Sequence, residues 1–234
     1  MTDEAQNPEQ HLVKTYFGLR TAIAILAFAF PLVLCGVGYL RGIDPVAGSL
    51  SAYYHAIPGA ITGCTHPDAP RPFGGGLMRD YFVAMLFMIA GFLIPYRGYS
   101  NKENWTLNVA AVFASGVALC PMPWNCGPTQ ISAHYVCAMA FFACLAYVCI
   151  FCRNDTLRRI DNPAVKAWYR NAYSILAVVM LASPAGAVVA NYFAGGGVLT
   201  LLLEWFGIYS FAAFWVVKSC EIDCIVTHKK GLPG

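Results

Sequence analysis

Charge is what this sequence has least of. Asp, Glu, Lys and Arg make up 12% of its 234 residues, about half of the ~25% usual in soluble domains. No stretch is strongly basic, and the net charge of +3 is spread over the chain, which excludes nucleic acid as a partner. The first twenty residues are polar and partly acidic. They lack the ordered basic, apolar and small-residue regions of a cleaved signal peptide, so the first apolar run is expected to be retained as a span. No repeat of fixed period is present, which ranks carriers built from inverted repeats low. Cys149-x-x-Cys152 is not followed by a second pair at zinc-finger spacing. No two apolar runs carry facing histidines at mid-depth, which argues against haem ligation.

Long apolar runs are what the chain has in abundance. Hydrophobic residues reach 58%, with a mean hydropathy of +0.56, and this predicts an all-α polytopic membrane protein of one domain over residues 1–234. Six spans are expected, at about 21–40, 80–96, 105–119, 132–152, 171–193 and 198–217. Pro31 and Pro184 fall inside the first and fifth, where neighbouring helices satisfy the freed carbonyls. Most cysteines in the runs, such as Cys35, Cys137, Cys144 and Cys149, read as small hydrophobes. The segment 41–79 is the longest loop, and its tyrosines suit a membrane interface. The turn after span three, Cys120-Pro-Met-Pro-Trp-Asn-Cys126, reads as rigid and interfacial. Charges after span six, including Lys218 and Glu221, read as a tail.

Lys and Arg counts set the orientation. With six spans the termini share a side. That side holds Lys14, Arg20, Arg97, Lys102, Arg153, Arg158, Arg159, Lys166, Arg170, Lys218, Lys229 and Lys230, twelve in all; the other holds Arg41, Arg71 and Arg79. Twelve against three places both termini in the cytoplasm, as in a bacterial-type inner membrane.

Glu204 is the only charge in the apolar run from Gly195 to Val217. A charge in a span costs about 2.5–3.5 kcal/mol on insertion scales, so such residues usually face a cavity or a partner. The topology brings His55, His66, Asp80, His134 and Glu204 to the outer side, and makes the buried polar load one-sided. Carboxylates and imidazoles at one site can hold zinc, with His55, Asp80, His134 and Glu204 as ligands. They can serve as a metal-free acid–base set of Glu204, His134 and Asp80, or relay protons. Each also has a structural reading: Asp80 at a helix start, His134 on a loop carbonyl, Glu204 fixing helix packing, and Ser49 and Ser51 as turn or capping residues. Cys64, Cys120 and Cys126 lie on the outer side, where two of the three can pair in an oxidising compartment.

Ser51-Ala-Tyr-Tyr-His55, followed by Asp80 at a membrane boundary, resembles the first half of the metal-site pattern of the alkaline ceramidase and adiponectin-receptor superfamily. That resemblance implies zinc and hydrolysis of lipid amides, with Ser51, His55 and Asp80 as counterparts. The second half of the pattern, a His-x-x-x-His in the last span, is not in this chain, and the superfamily has seven spans. The six-span layout, with Arg79-Asp80-Tyr-Phe-Val opening span two, is similar to bacterial six-helix membrane proteins distantly like the DRAM/Frag group. Three functions are carried forward. One is a non-enzymatic lipid-linked or complex-forming component, with membrane lipids and protein partners or a second copy. The others are a membrane-embedded hydrolase of lipid amides or esters, zinc-dependent or not, and a proton-coupled transporter.

Overall fold

The structure is a computed structural model, and it describes residues 8–43, 48–56, 76–122, 132–194 and 197–230. Its regular elements are helices: α1 (Pro8–Leu40), a 3-10 turn (Ser51–His55), α2 (Leu77–Leu93), α3 (Asn101–Leu119) and α4 (Ala133–Tyr147). α4 continues through a π-helical turn (Val148–Cys152) into α5 (Arg153–Leu157), followed by α6 (Pro163–Ala194) and α7 (Val198–Lys230). Four stretches are long and apolar enough to cross a membrane: His11–Leu40, Ala133–Leu157, Pro163–Phe193 and Val198–Val226. α2 has 17 residues and α3 has 19, about 25 Å and 28 Å at 1.5 Å per residue.

Six long helices form a closed ring. α1 packs on α2, α2 on α3, α3 on α4, α4 on α6, α6 on α7, and α7 returns to α1. Direction alternates around the ring. One apolar core joins Ile23 and Ala27 of α1 to the C-terminal half of α2, the N-terminal half of α3 and the C-terminal halves of α4 and α7. A second core, at the other end, joins Phe30 and Leu34 to Leu50 and Tyr53 of the loop, Met78 and Phe82 of α2, and Leu201 of α7. The start of α1 and the end of α7 therefore share one end of the bundle.

Large apolar side chains also cover the outside. Ile25, Phe28 and Leu32 of α1, Val112 of α3, Ile175 and Val178 of α6 and Phe206 of α7 are all exposed. A chain folded in water does not leave so continuous an apolar exterior. The expected prolines lie inside their helices, Pro31 in α1 and Pro184 in α6.

Helix ends differ from the sequence reading. α1 begins at Pro8, α6 at Pro163, and α7 runs to Lys230. The 218–226 stretch is thus not a tail but the last turns of a 33-residue helix. Two helix starts are capped by serine side chains. Ser100 accepts from the Glu103 amide at 3.2 Å, and Ser132 from the Tyr135 amide at 3.5 Å.

Candidate functional site

A cavity of about 100 Å³ lies inside the ring, in the half that carries the 3-10 turn. Every long helix contributes to it. Phe30, Phe82, Ala114, Phe141, Pro184 and Phe211 form part of an apolar wall, and Ser49, His134, Tyr135, Asn191, Thr200 and Glu204 are its polar points. It is smaller than the roughly 150 Å³ that accepts a benzene ring. Between Thr200 and Phe211 α7 advances about 16 Å, so the space is long and narrow.

Glu204 is held by the loop before the 3-10 turn. Ser49 Oγ donates to its two oxygens at 2.7 and 2.9 Å, and the amides of Leu50 and Ser51 donate to Oε2. Ser49 Oγ also accepts from the Ser51 amide at 3.1 Å. Hydrogen bonds to a charged group contribute about 1.5–3 kcal/mol each, so two of them offset the insertion cost of the carboxylate. The same contacts fix the loop, and the Gly197 amide adds a bond to Gly48 O at 3.3 Å. Gly197 and Gly48 both have positive φ, 123° and 84°, a region where glycine meets no Cβ penalty.

Both predicted histidines in the described residues bind backbone. His55 Nε2 lies 2.7 Å from Met122 O, and His134 Nδ1 lies 2.8 Å from Cys120 O. A carbonyl only accepts, so each ring nitrogen donates. Together they clamp the start of the α3–α4 connection beside the cavity, where Ser49 Oγ approaches Met122 Sδ at 3.9 Å. Burial pulls the His55 imidazole below its ordinary value of 6.5, against the opposing pull of the Met122 carbonyl.

Asp80 corrects the expected constellation. Its side chain is 68% exposed, its nearest cation is Arg79 at 4.0 Å, and it is not among the cavity-lining residues. The structure brings together Ser49, Ser51, His134 and Glu204, and leaves Asp80 outside. The four expected zinc ligands do not assemble either. Among the described residues no three His, Cys, Asp or Glu side chains gather as a metal site, and Glu204 is already occupied by donors from the loop. This donor set does not fit zinc. His66, Cys64 and Cys126 lie outside the described residues, and Cys120 has no disulfide partner among the described residues.

The sequence reading missed Tyr135, Asn191 and Thr200 in the cavity. Asn191 Nδ2 donates to Tyr135 Oη at 3.3 Å, whereas Thr200 Oγ1 is buried with no partner among the described residues. It also missed a second polar cluster at the opposite end. Lys218 Nζ sits 3.2 Å from Glu221 Oε2 and donates to Thr156 Oγ1 at 3.0 Å. Tyr173 Oη donates to the same Glu221 oxygen at 2.6 Å. Arg20 Nε donates to Ser219 Oγ at 3.3 Å, and buried Glu103 accepts from the Tyr99 amide at 2.9 Å. The polar load is therefore two-sided, not one-sided. The signals were present in the sequence: Lys218 and Glu221 stand three apart in an unbroken helical pattern, and Ser100-x-x-Glu103 has capping-box spacing.

No family model matches this chain, and neither does any curated protein or solved structure.

Proposed function

We propose that this chain is a six-span protein of a bacterial-type inner membrane, with both termini in the cytoplasm. In this reading α2 and α3 are the two shorter spans, supported by their places in the ring between α1 and α4. Cytoplasmic termini rest on the twelve-to-three distribution of Lys and Arg. The cavity then opens from the outer half, and it binds a short-chain amphipathic lipid without chemical turnover.

The observation that carries this is the contrast between Glu204 and Thr200. Glu204 is saturated by Ser49, Leu50 and Ser51, so it shapes the site rather than reacting in it. Thr200 offers a hydroxyl with no partner among the described residues in the same narrow, mostly apolar space, and buried polar groups in native proteins nearly always have a partner. A short apolar segment, smaller than a benzene ring, fits this volume, and a polar end satisfies Thr200 and the Tyr135–Asn191 pair. A hydrolytic centre is the weaker reading, because Asp80 stands apart and the imidazoles are spent on carbonyls.

Lipid extraction and mass spectrometry of the purified protein test this. Wild-type chain is expected to retain one short-chain amphipathic lipid per molecule. Val188→Trp, which fills the cavity from α6, is expected to lose it while the thermal midpoint holds. Equal retention by that variant would refute the cavity as the binding site.

A further inference from the structure

A basic patch lies at the opposite end of the bundle from the cavity, where two turns meet. Arg159 sits over the ring of Tyr99, 5.0 Å from its centroid, which joins the α5–α6 turn to the α2–α3 turn. Arg97 and Lys102 flank Tyr99 in sequence and Arg158 adjoins Arg159, and all four cations are exposed. Among the described residues none of the four has a carboxylate within 4.0 Å. The nearby acids are Asp155, half-buried, Asp161, exposed, and Glu103, buried under the turn and bonded to the Tyr99 amide. Buried Lys218 approaches the Tyr99 ring as well, at 5.8 Å.

An apolar stripe runs away from this patch along α3. Trp105, Val109 and Val112 recur at helical spacing and are all exposed, Trp105 by 71%. Exposed Trp at the end of an apolar stripe marks the headgroup level of a bilayer. Unpaired cations at that level, above an apolar face, match a phosphate head with its acyl chains below. Arg suits this role through its planar fork of donors.

We propose that Arg97, Lys102, Arg158 and Arg159 form a headgroup site for one anionic phospholipid of the cytoplasmic leaflet, its chains lying along Trp105, Val109 and Val112. The proposal rests on the chain spanning a bilayer, but not on the cavity or its ligand.

The test uses the full chain in nanodiscs of phosphatidylcholine with and without phosphatidylglycerol, followed by native mass spectrometry. Wild-type chain is expected to hold one phosphatidylglycerol in preference to phosphatidylcholine. Arg158→Ala/Arg159→Ala removes two cations and is expected to weaken that retention about thirty-fold. Lys14→Ala/Lys166→Ala, with the same loss of charge elsewhere on that side, is expected to leave it intact. Arg97→Ala/Lys102→Ala reaches the patch from the other turn and is expected to weaken retention similarly, so a folding defect in one double variant does not decide the matter. Equal loss in the Lys14/Lys166 variant overturns the site in favour of diffuse attraction. Equal retention of the two lipids by wild type overturns it as well. Retention of neither lipid overturns it too, and the Val188→Trp measurement is read out separately.

Discussion

At the scale of the residue, Glu204 shows how a membrane protein uses a costly carboxylate. It reaches from α7 to a loop about 150 positions earlier and gathers the Ser49 hydroxyl and two amides. Glu204→Ala is therefore expected to lower stability by about 2–4 kcal/mol, because the donors of that loop lose their acceptor. Glu204→Gln keeps one acceptor oxygen and is expected to cost roughly half as much. Thermal unfolding of both variants in the same detergent checks the order, and equal losses would mean that the carboxylate does not anchor the loop. That Glu204 needed polar company was legible in the sequence, since a lone charge in an apolar run is expensive. Which groups supplied it was not legible. Hydrogen-bond partners so distant in sequence are set by tertiary packing, and neither spacing nor periodicity encodes them. Asp80 was misjudged for the same reason. Its place at a helix start is local information, whereas its outward direction is decided by how α2 sits in the ring.

At the scale of the element, the helices themselves were readable from apolar run length, while their ends were not. The reading stopped the last span at Val217, just before Lys218, although no Gly or Pro follows until Gly231. A helix continues past the hydrocarbon when its charges find partners, as Lys218 and Glu221 do with Thr156 and Tyr173. Breaking one member of a buried pair strands the other, at about 3–5 kcal/mol. Lys218→Met and Glu221→Leu are each expected to cost that much, and the double variant less than the sum of the two. A double-mutant cycle by thermal unfolding measures this, and additive costs would show that the two side chains do not act as a pair. The π-helical turn at Val148–Cys152 was equally hidden. The lone C-x-x-C falls inside it with both thiols buried, and helical periodicity alone does not reveal an inserted residue.

At the scale of the whole molecule, six alternating helices close into a ring whose exterior is apolar and whose two ends each enclose polar groups. The proposed cytoplasmic placement of both termini is testable by fusion. A reporter active only in the cytoplasm is expected to work when joined after Gly234 and to fail when inserted after Arg71; activity at both points, or only at the second, would contradict the orientation. The ring as a class of fold was written in the composition, because so little charge and so many long apolar runs leave few alternatives. The second polar cluster was not, since it forms only when α1, α3, α5, α6 and α7 bring their ends together. One feature of α7 ties the two ends to each other. Glu204 and Glu221 stand 17 positions apart on a single unbroken helix, about 25 Å and nearly five turns. The two polar stations therefore ride on one rod. If α7 slides or twists as a rigid unit, it cannot tug the loop at one face without also shifting the ion pair at the other.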